Sequence, residues 1–538
     1  MRAKTVHNPK KGKSVIYWMR MADLRIHDNR ALSRASVLAQ EDSIPLIILF
    51  IICPQDYLAH GVGARRIDFM LRNLRSLKES FFSLNIPFLA TTQAKMRGIP
   101  SFVLSFCEQY GANTLFANIE YEVDELRRDI KVCESAFPKG IQVIFEHDKC
   151  IIEPGILLTK QGKPYTVYSP YQRSWLSVLN NNVAHHLEEC SSPKANDESI
   201  KSSELLVPIF DSTVPFAVEG FELADWDQIR MRESWPEGEV TATQILERFL
   251  TTKKRSSQLG AVDPLSHGSE NCPKFSRIAK YASDRDQIGS DTTSRLSPYL
   301  ASGVISVREC ARATMQLSET CMDTDKSSGI KRWMQEIAWR DFYINILASF
   351  PRVCMGCPYL EKFSDVVWEN SRSYDNVEVE AENVQKWKTG MTGVPIVDAA
   401  MRCIKTMGWV HNRARMIAAM YLSKDLMIDW RVGEKYFMEV LVDGDFASNN
   451  GGWQWCASTG TDPCPYFRIF NPHTQSLKAD PSGNFIHHWV PELRKVRGPD
   501  LHDPSSALAD KLGYPRPIIL HSEARERALR RYKNPGNM

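Results

Sequence analysis

One short polar segment near the C-terminal end carries side chains suited to ligand chemistry. It runs from Asp443 to Pro472 and reads DGDFASNNGGWQWCASTGTDPCPYFRIFNP. Its acids and amides offer donors and acceptors in fixed directions, its paired glycines let backbone approach a ligand closely, and its tryptophans offer flat faces for stacking. The residues concerned are Asp443, Asp445, Asn449, Asn450, Gly451, Gly452, Trp453 and Trp455. This combination predicts a pocket for a planar, polar, aromatic ligand.

A hydroxyl-rich turn lies earlier in the chain, in DTTSRLSPYL from Asp291 to Leu300. Thr and Ser side chains cap helix starts, and the free amides of a helix start bind anions. Taken alone, the segment is explained as a plain helix cap. Tyr281 and Arg285 stand just upstream, and with them the segment favours a phosphate-binding turn.

Helical spacing brings a second group of side chains together. Trp333, Glu336 and Arg340 are separated by three and four residues, so they share one helix face. Trp339 lies on the adjoining face. A surface stripe of ion pairs is the alternative, but such stripes rarely contain two tryptophans. The segment therefore favours a helix that presents polar and aromatic groups to a ligand.

A third group has the same spacing in GWVHNRARM. Trp409, Asn412 and Met416 share one face of a predicted helix. Arg413 and Arg415 point elsewhere. One face is therefore suited to a ligand, and the two arginines are suited to phosphates or acids.

Other kinds of chemistry have little support in the sequence. Cys354 and Cys357 form a single CxxC without a second pair at a zinc-like spacing. HExxH and GxxxxGK[ST] motifs are absent, so the sequence predicts no metal site. It also predicts no membrane span, because no run of 18 residues is apolar. The formal net charge is only +3, so any contact with DNA must come from a local basic face.

The elements that must position these groups divide along the chain. Repeated strand–helix–strand units predict an α/β, doubly wound parallel sheet over residues 14–146. A helix is predicted over Arg65–Leu84, where apolar residues recur at three- and four-residue steps. The strand candidates are short apolar runs of the kind covered on both faces. They are Ser14–Trp18, Pro45–Ile52, Pro87–Thr91, Thr114–Ala117 and Ile141–Phe145.

Residues outside the predicted sheet domain form three further parts. Residues 1–13 read as a basic flexible tail, and residues 147–237 as a connector with a polar surface linker. Residues 238–530 are strongly helical and predict an all-α domain. Its longest amphipathic stretches are Gly329–Phe350, Ile396–Leu422 and Lys435–Val442.

These segments, in this order, resemble the photolyase/cryptochrome family. The resemblance is closest to class I cyclobutane pyrimidine dimer photolyases of a eukaryotic, fungal-like kind, and it extends from Trp18 to Leu493. It implies that the α/β domain binds an antenna chromophore and that the helical domain binds a bent FAD. The FAD-binding residues that it implies are Tyr281, Thr293, Ser294, Arg295, Leu296, Ser297, Trp333, Arg340, Asn412, Arg415, Asp443, Asp445 and Asn449.

The resemblance also implies a light-driven repair reaction on UV-damaged DNA. Excited FADH⁻ would donate an electron to a pyrimidine dimer flipped out of the duplex, the cyclobutane ring would open, and the electron would return. Glu336 would hydrogen-bond a pyrimidine edge, and Trp339 and Trp455 would stack on the dimer. The implied substrate- and DNA-binding residues are Arg285, Glu336, Trp339, Asn412, Arg413, Met416, Trp455 and Arg468.

Three tryptophans match the electron-transfer chain of this family. They are Trp453, Trp430 and Trp368, which would pass electrons stepwise from the protein surface to the buried flavin. Core packing is the alternative for each tryptophan taken singly. The gap between Trp368 and Trp387 is longer than in the bacterial pattern.

Two residues match antenna-binding positions in some relatives. Glu122 and Cys354 stand where those relatives hold a folate, but Met355 stands where they often have Lys. The implied antenna is therefore 5,10-methenyltetrahydrofolate or a deazaflavin.

The remaining expectations concern the kind of protein and its location. Asn449 would contact flavin N5, and an Asn at this position favours repair over signalling. A cryptochrome-type blue-light receptor with little or no repair is the main alternative; a single-strand-repairing cryptochrome and a flavoprotein without repair are others.

The protein is expected to be a monomer. Lys10, Lys11 and Lys13 are either a weak nuclear address or part of a solvated tail, and the expected location is the nucleus, with mitochondria as a second compartment.

Overall fold

The computed structural model describes residues 11–255, 264–265, 270–317, 329–369 and 377–536. Five parallel strands form one sheet in the order β3-β2-β1-β4-β5, which confirms the predicted α/β doubly wound class. The strands are β1 Ser14–Met19, β2 Leu46–Ile52, β3 Phe88–Thr92, β4 Ala112–Asn118 and β5 Gln142–Glu146. The first ten residues of the predicted basic tail lie outside the described residues.

Helices cover both faces of the sheet, so its central strand is buried at every position. In β1, Val15 pairs with Leu46 of β2, while Ile16 pairs with Leu115 of β4. This double coverage is why the strands read as continuous apolar runs. The helices of this part are α1 Arg30–Asp42, α2 Pro54–Ala59, α3 Ala64–Ser83, α4 Ile99–Gln109 and α5 Val123–Ala136.

The predicted connector contains helices of its own. They are α6 Tyr168–Asn181, α7 Val183–His186, α8 Val207–Asp211 and α9 Asp225–Ser234. Helix α6 packs against the helix that carries the Trp333 segment. The connector therefore contributes to the core rather than only linking two domains, and the domain limits at residues 146 and 237 stay a prediction.

The rest of the described chain is helical, as predicted. Its first helices are α10 Glu239–Thr251, α11 Tyr281–Asp284, α12 Ser297–Ala301, α13 Val307–Gln316, α14 Gly329–Ser349, α15 Val377–Thr389, α16 Pro395–Met407 and α17 Asn412–Met420. The later ones are α18 Trp430–Val440, α19 Phe446–Cys456, α20 Pro472–Ala479, α21 Asn484–Trp489, α22 Pro499–His502, α23 Ser506–Leu512 and α24 His521–Lys533. Within the part of the chain that the structure describes, no helix is both long and apolar enough to span a membrane.

The prediction of one helical stretch over Ile396–Leu422 is wrong. Helix α16 ends at Met407 because Gly408 takes a left-handed conformation with φ 61°. Helix α17 starts at Asn412, five residues after the end of α16. It is capped by the His411 side chain, which accepts the Arg413 N–H at 3.1 Å. Asn412 and Met416, which follow the break, line a cavity among the helices.

Candidate functional site

A cavity of about 330 Å³ lies among the helices of the C-terminal part. Twelve of the thirteen residues that were expected to bind FAD line it, although they come from separate helices and turns. They are Tyr281, Thr293, Ser294, Arg295, Leu296, Ser297, Arg340, Asn412, Arg415, Asp443, Asp445 and Asn449. The cavity is therefore built from the segments that the sequence singled out.

Trp333 is the one expected residue that does not line this cavity. Its ring packs against Phe249 at 4.9 Å and edge-on against Tyr281 at 5.8 Å, both measured between ring centroids. Its indole Nε1 is buried and has no hydrogen-bond partner within the protein. Trp333 thus supports Tyr281, which does line the cavity.

One ion pair and one helix cap fix the polar wall. Arg415 donates to both carboxylate oxygens of Asp443, at 3.1 and 2.8 Å. Asp445 caps α19 by accepting the Ser448 N–H at 2.8 Å. Burial alone would raise the pKa of the Asp445 carboxyl, but the charge of Arg340 and the hydrogen bonds from Ser448 hold the pKa below its usual range. The wall therefore carries fixed charges in known orientations.

Asn449 is oriented by the neighbouring helix. Its Nδ2 donates to the main-chain oxygen of Glu434 in α18 at 2.9 Å. Asn450, the next residue, donates to the Glu434 carboxylate at 2.7 Å. Asn449 lines the cavity. The contact through Nδ2 holds its amide at the cavity wall and leaves the side-chain oxygen available to a ligand.

The hydroxyl-rich turn is held by stacking. Arg295 adopts φ 59°, a conformation that non-glycine residues rarely take. Its guanidinium lies 4.7 Å from the ring centroid of Trp409, and Trp409 in turn donates to Ser297 Oγ at 3.0 Å. Trp409 lines the cavity, as expected for the face suited to a ligand, although it precedes helix α17 and was not among the residues expected to bind FAD.

The residues that were expected to bind the dimer lie partly at this cavity. Asn412 and Met416 line it. Trp455 is half-buried and packs edge-on against Phe470 at 6.4 Å. Trp339, also half-buried, does not line the cavity and packs against rings of the connector and of its own helix.

Three of the four charged residues of the expected substrate set form ion pairs. Arg285 forms an ion pair with Glu336, and Arg413 pairs with Asp286 at 2.9 Å. Arg468 is exposed. Asp286 also lies 3.6 Å from Arg285, so Glu336 and the two paired arginines form one local network in the free protein.

The three tryptophans of the expected electron-transfer chain are all buried. Trp453 lines the cavity and packs edge-on against Phe437 at 4.9 Å. Trp430 is 1% exposed, and Trp368 is 4% exposed. Trp368, the expected surface end, instead meets Tyr532 of α24 edge-on at 6.2 Å.

A second, larger cavity of about 570 Å³ lies where the sheet domain meets the helices. It brings Glu122 and Cys354 together, as expected for the antenna. It also brings in Asp56, His60 and Glu125, whose ligand atoms lie within 4.8 Å of one another. The sequence analysis missed these three. Asp445 and Ala301 line both cavities, so the two share a wall.

The fold and the two adjoining cavities define a class of flavoprotein with a sheet domain and a helical cofactor domain. Residues 15–193 match the family model described as DNA photolyase, and residues 333–534 match the FAD binding domain of DNA photolyase. The chain belongs to the DNA photolyase family.

Individual relatives agree over nearly the whole chain. It is 40% identical to a deoxyribodipyrimidine photo-lyase of Neurospora crassa, over 97% of this chain and 82% of the relative. It is 35% identical to the Escherichia coli protein of that name, over 96% of this chain and 98% of the relative. The crystal structure of a class III photolyase from Agrobacterium tumefaciens superposes with a TM-score of 0.76 at 30% identity, covering 98% of this chain and 99% of that one.

Proposed function

We propose that this protein repairs cyclobutane pyrimidine dimers in DNA, using light and bound FAD. One observation carries the proposal. Asn412 and Met416, expected to contact the dimer, line the same cavity as the residues expected to hold the flavin. A flipped-out dimer at that place would lie next to the cofactor, as electron transfer requires. The full-length similarity to relatives named deoxyribodipyrimidine photo-lyase supports the same function.

The residues present suit FAD. Tyr281 and the turn from Thr293 to Ser297 offer hydroxyls and amides for the diphosphate. Arg415, Asp443 and Asn449 offer charged and amide groups for the flavin ring. When bound and fully reduced, FAD supplies the light-absorbing group and the electron that opens the cyclobutane ring.

The protein's share of the reaction is to bind and orient the dimer. Glu336 accepts a hydrogen bond from a pyrimidine N–H, and Trp339 and Trp455 provide stacking faces. Arg285 and Arg413 bind backbone phosphates on either side of the flipped dimer, with Arg468 further out. Because phosphate contacts release counterions, DNA affinity should fall as salt is raised.

We propose that a row of three tryptophans supplies electrons to the cavity. Trp453 lines the cavity, and we propose that Trp430 and Trp368 extend the row outward. Oxidisable rings packed in the core permit stepwise transfer without a mobile carrier.

The larger cavity is proposed to hold the antenna, 5,10-methenyltetrahydrofolate or a deazaflavin. Glu122 and Cys354 line it. Glu125 lines it too, and its Oε2 is buried without a hydrogen-bond partner. Burial, with Glu122 and Glu120 next, raises the pKa of the Glu125 carboxyl to about 8. A buried carboxyl of this kind suits the N–H edge of a pteridine or flavin-like ring.

We further propose that the protein acts as a monomer in the nucleus, with mitochondria as a second compartment. The basic residues Lys10, Lys11 and Lys13 near the N-terminus support a nuclear address. A fluorescent fusion to the full chain, compared with one in which all three lysines are replaced by Gln, tests this location.

A repair assay tests the main proposal. Photoreduced, FAD-loaded protein is mixed with a thymine-dimer oligonucleotide and illuminated at about 400 nm, beside a dark control. We expect intact thymines to return only in the light. Bound, reducible FAD without repair would contradict the proposal and favour a cryptochrome-type blue-light receptor.

A further inference from the structure

Trp339, the expected stacking residue, already has one ring face covered. Tyr168 stacks on it with ring centroids 3.5 Å apart and ring planes 7° from parallel. We propose that Tyr168 is a positioning residue that holds Trp339 as a rigid platform, so that only the opposite indole face is offered to the dimer. This inference rests on the proposed repair function.

Tyr168 is itself fixed at both ends. Its hydroxyl donates to the main-chain oxygen of Gln335 at 2.7 Å, four residues before Trp339 on the same helix α14. The backbone N–H of Tyr168 stands at the start of α6, where a helix leaves its amides without internal partners. That N–H donates to Asp462 at 3.0 Å.

These contacts tie together both sides of the expected substrate site. Asp462 adopts φ 44° and lies in the loop between α19 and α20, after Trp455 and before Arg468. Tyr168 therefore joins the helix with Glu336 and Trp339 to the loop beside the second stacking tryptophan, Trp455. A shift of one side would move the other.

A held ring binds more tightly than a mobile one. Ordering a free side chain on binding costs about 0.5–1.5 kcal/mol, which is roughly two- to tenfold in affinity. Here the fold orders Trp339 before DNA arrives, because Phe342 also packs edge-on against it at 5.6 Å. Removing the Tyr168 ring should release the indole and weaken dimer binding, while phosphate binding is left as it was.

The test compares two affinities in the dark. FAD-loaded Tyr168→Leu is titrated with a duplex containing one thymine dimer and with the same undamaged duplex. We expect the Kd for the dimer duplex to rise roughly two- to tenfold and the Kd for undamaged DNA to stay within about twofold. If Tyr168→Leu does not retain FAD, Tyr168→Met carries the same test.

Two controls separate positioning from general damage to the fold. Leu179→Ala removes a fully buried side chain from the same helix, about 16 Å further along at 1.5 Å per residue. It should lower thermal stability without changing the ratio of the two affinities. Tyr168→Phe keeps the stacked ring, so its dimer affinity should stay within about twofold of the unmodified protein.

A double-mutant cycle tests whether Tyr168 acts through Trp339. If Tyr168 acts through Trp339, replacing Tyr168 in a Trp339→Leu background should cause no further loss of dimer affinity. An equal loss for both duplexes, an unchanged dimer affinity, or additive effects would each overturn the inference. Failure of the unmodified protein to prefer dimer DNA would instead contradict the proposed function.

Discussion

Burial and close hydrogen-bond partners set the protonation and orientation of single side chains around the cofactor cavity. Glu434 is an example, because it supports Asn449 through its main chain and Asn450 through its carboxylate. Burial raises the pKa of the Glu434 carboxyl to about 7, although the hydrogen bond from Asn450 lowers it in part. A carboxyl behind the flavin wall is thus near its titration point at neutral pH.

Replacing Glu434 should change how stability depends on pH. The pKa of its carboxyl is higher in the folded chain, about 7, than the usual 4.5. The protonated carboxyl therefore contributes to folding stability at low pH, and this contribution is lost as pH rises through about 7. A glutamine side chain at this position would accept the same hydrogen bond without ionising. We therefore expect Glu434→Gln to match the unmodified protein below about pH 4.5 and to exceed it near pH 8, by up to roughly 3 kcal/mol. The Tm of the FAD-loaded protein across this range measures the difference.

A second glutamate of α18 provides a control. Glu439 lies on the same helix, is partly exposed and pairs with Lys435 at 3.9 Å. Glu439→Gln should leave the pH profile unchanged. A constant gap between Glu434→Gln and the unmodified protein at every pH would show that Glu434 does not titrate in this range.

Glu336 is the residue whose charge should matter for the dimer. In the free protein it pairs with Arg285 and lies 3.6 Å from Arg332. A hydrogen bond to a charged group contributes about 1.5–3 kcal/mol, so Glu336→Gln should lower repair at limiting substrate roughly tenfold or more. Glu361→Gln, at an exposed pair with Arg352, is the matched control. Unchanged repair in Glu336→Gln, with FAD retained, would remove Glu336 from the substrate site.

At the scale of elements, two adjacent glycines in α19 do different work. A Cβ on Gly451 would stand 2.2 Å from the Tyr343 ring of α14, whereas one on Gly452 would meet no protein atom within 4 Å. Gly452 lines the cofactor cavity. The first glycine thus permits close helix packing, and the second keeps space for a ligand.

Alanine substitutions should separate these two roles. Gly451→Ala forces two helices apart, and overpacking of this kind costs typically about 1–3 kcal/mol, so we expect a lower Tm with or without FAD. Gly452→Ala should not lower the Tm of the FAD-free protein, because alanine favours a helix over glycine by about 1 kcal/mol, but it should weaken FAD retention during gel filtration. Equal effects of the two variants on the FAD-free protein would contradict this division.

The elements were largely predictable, and the contacts between them were not. Doubly covered strands and amphipathic helices leave strong local patterns, so β1 and α3 were placed within about one residue. Gly408 is a residue type that commonly ends a helix, but the amphipathic prediction over Ile396–Leu422 ran through it, and its left-handed φ of 61° shows the break. Tyr168 and Trp339 are far apart in sequence, and no periodicity links them; the same holds for His60 and Glu125.

At the scale of the molecule, the sheet domain and the helical part meet through a buried charge cluster. Arg308, which is fully buried, pairs with Asp28 at 3.0 Å and with Asp148 at 2.9 Å. Arg25 and Arg312 complete the cluster by pairing with Asp148 and Asp28, respectively. The larger cavity lies at the same boundary between the sheet domain and the helices, and it shares a wall with the smaller cavity.

Removing Arg308 should therefore loosen the whole molecule and not one domain alone. Breaking a buried ion pair by deleting one partner costs about 3–5 kcal/mol, because the remaining charges stay buried. The other two arginines offset part of this cost, so we expect Arg308→Met to lower the free energy of unfolding by roughly 3 kcal/mol. Flavin release and loss of far-UV circular dichroism should both shift to lower temperature.

Arg516→Met, at an exposed pair with Asp510, should shift neither. Flavin release at an unchanged temperature in Arg308→Met would mean that the cofactor cavity does not depend on this junction.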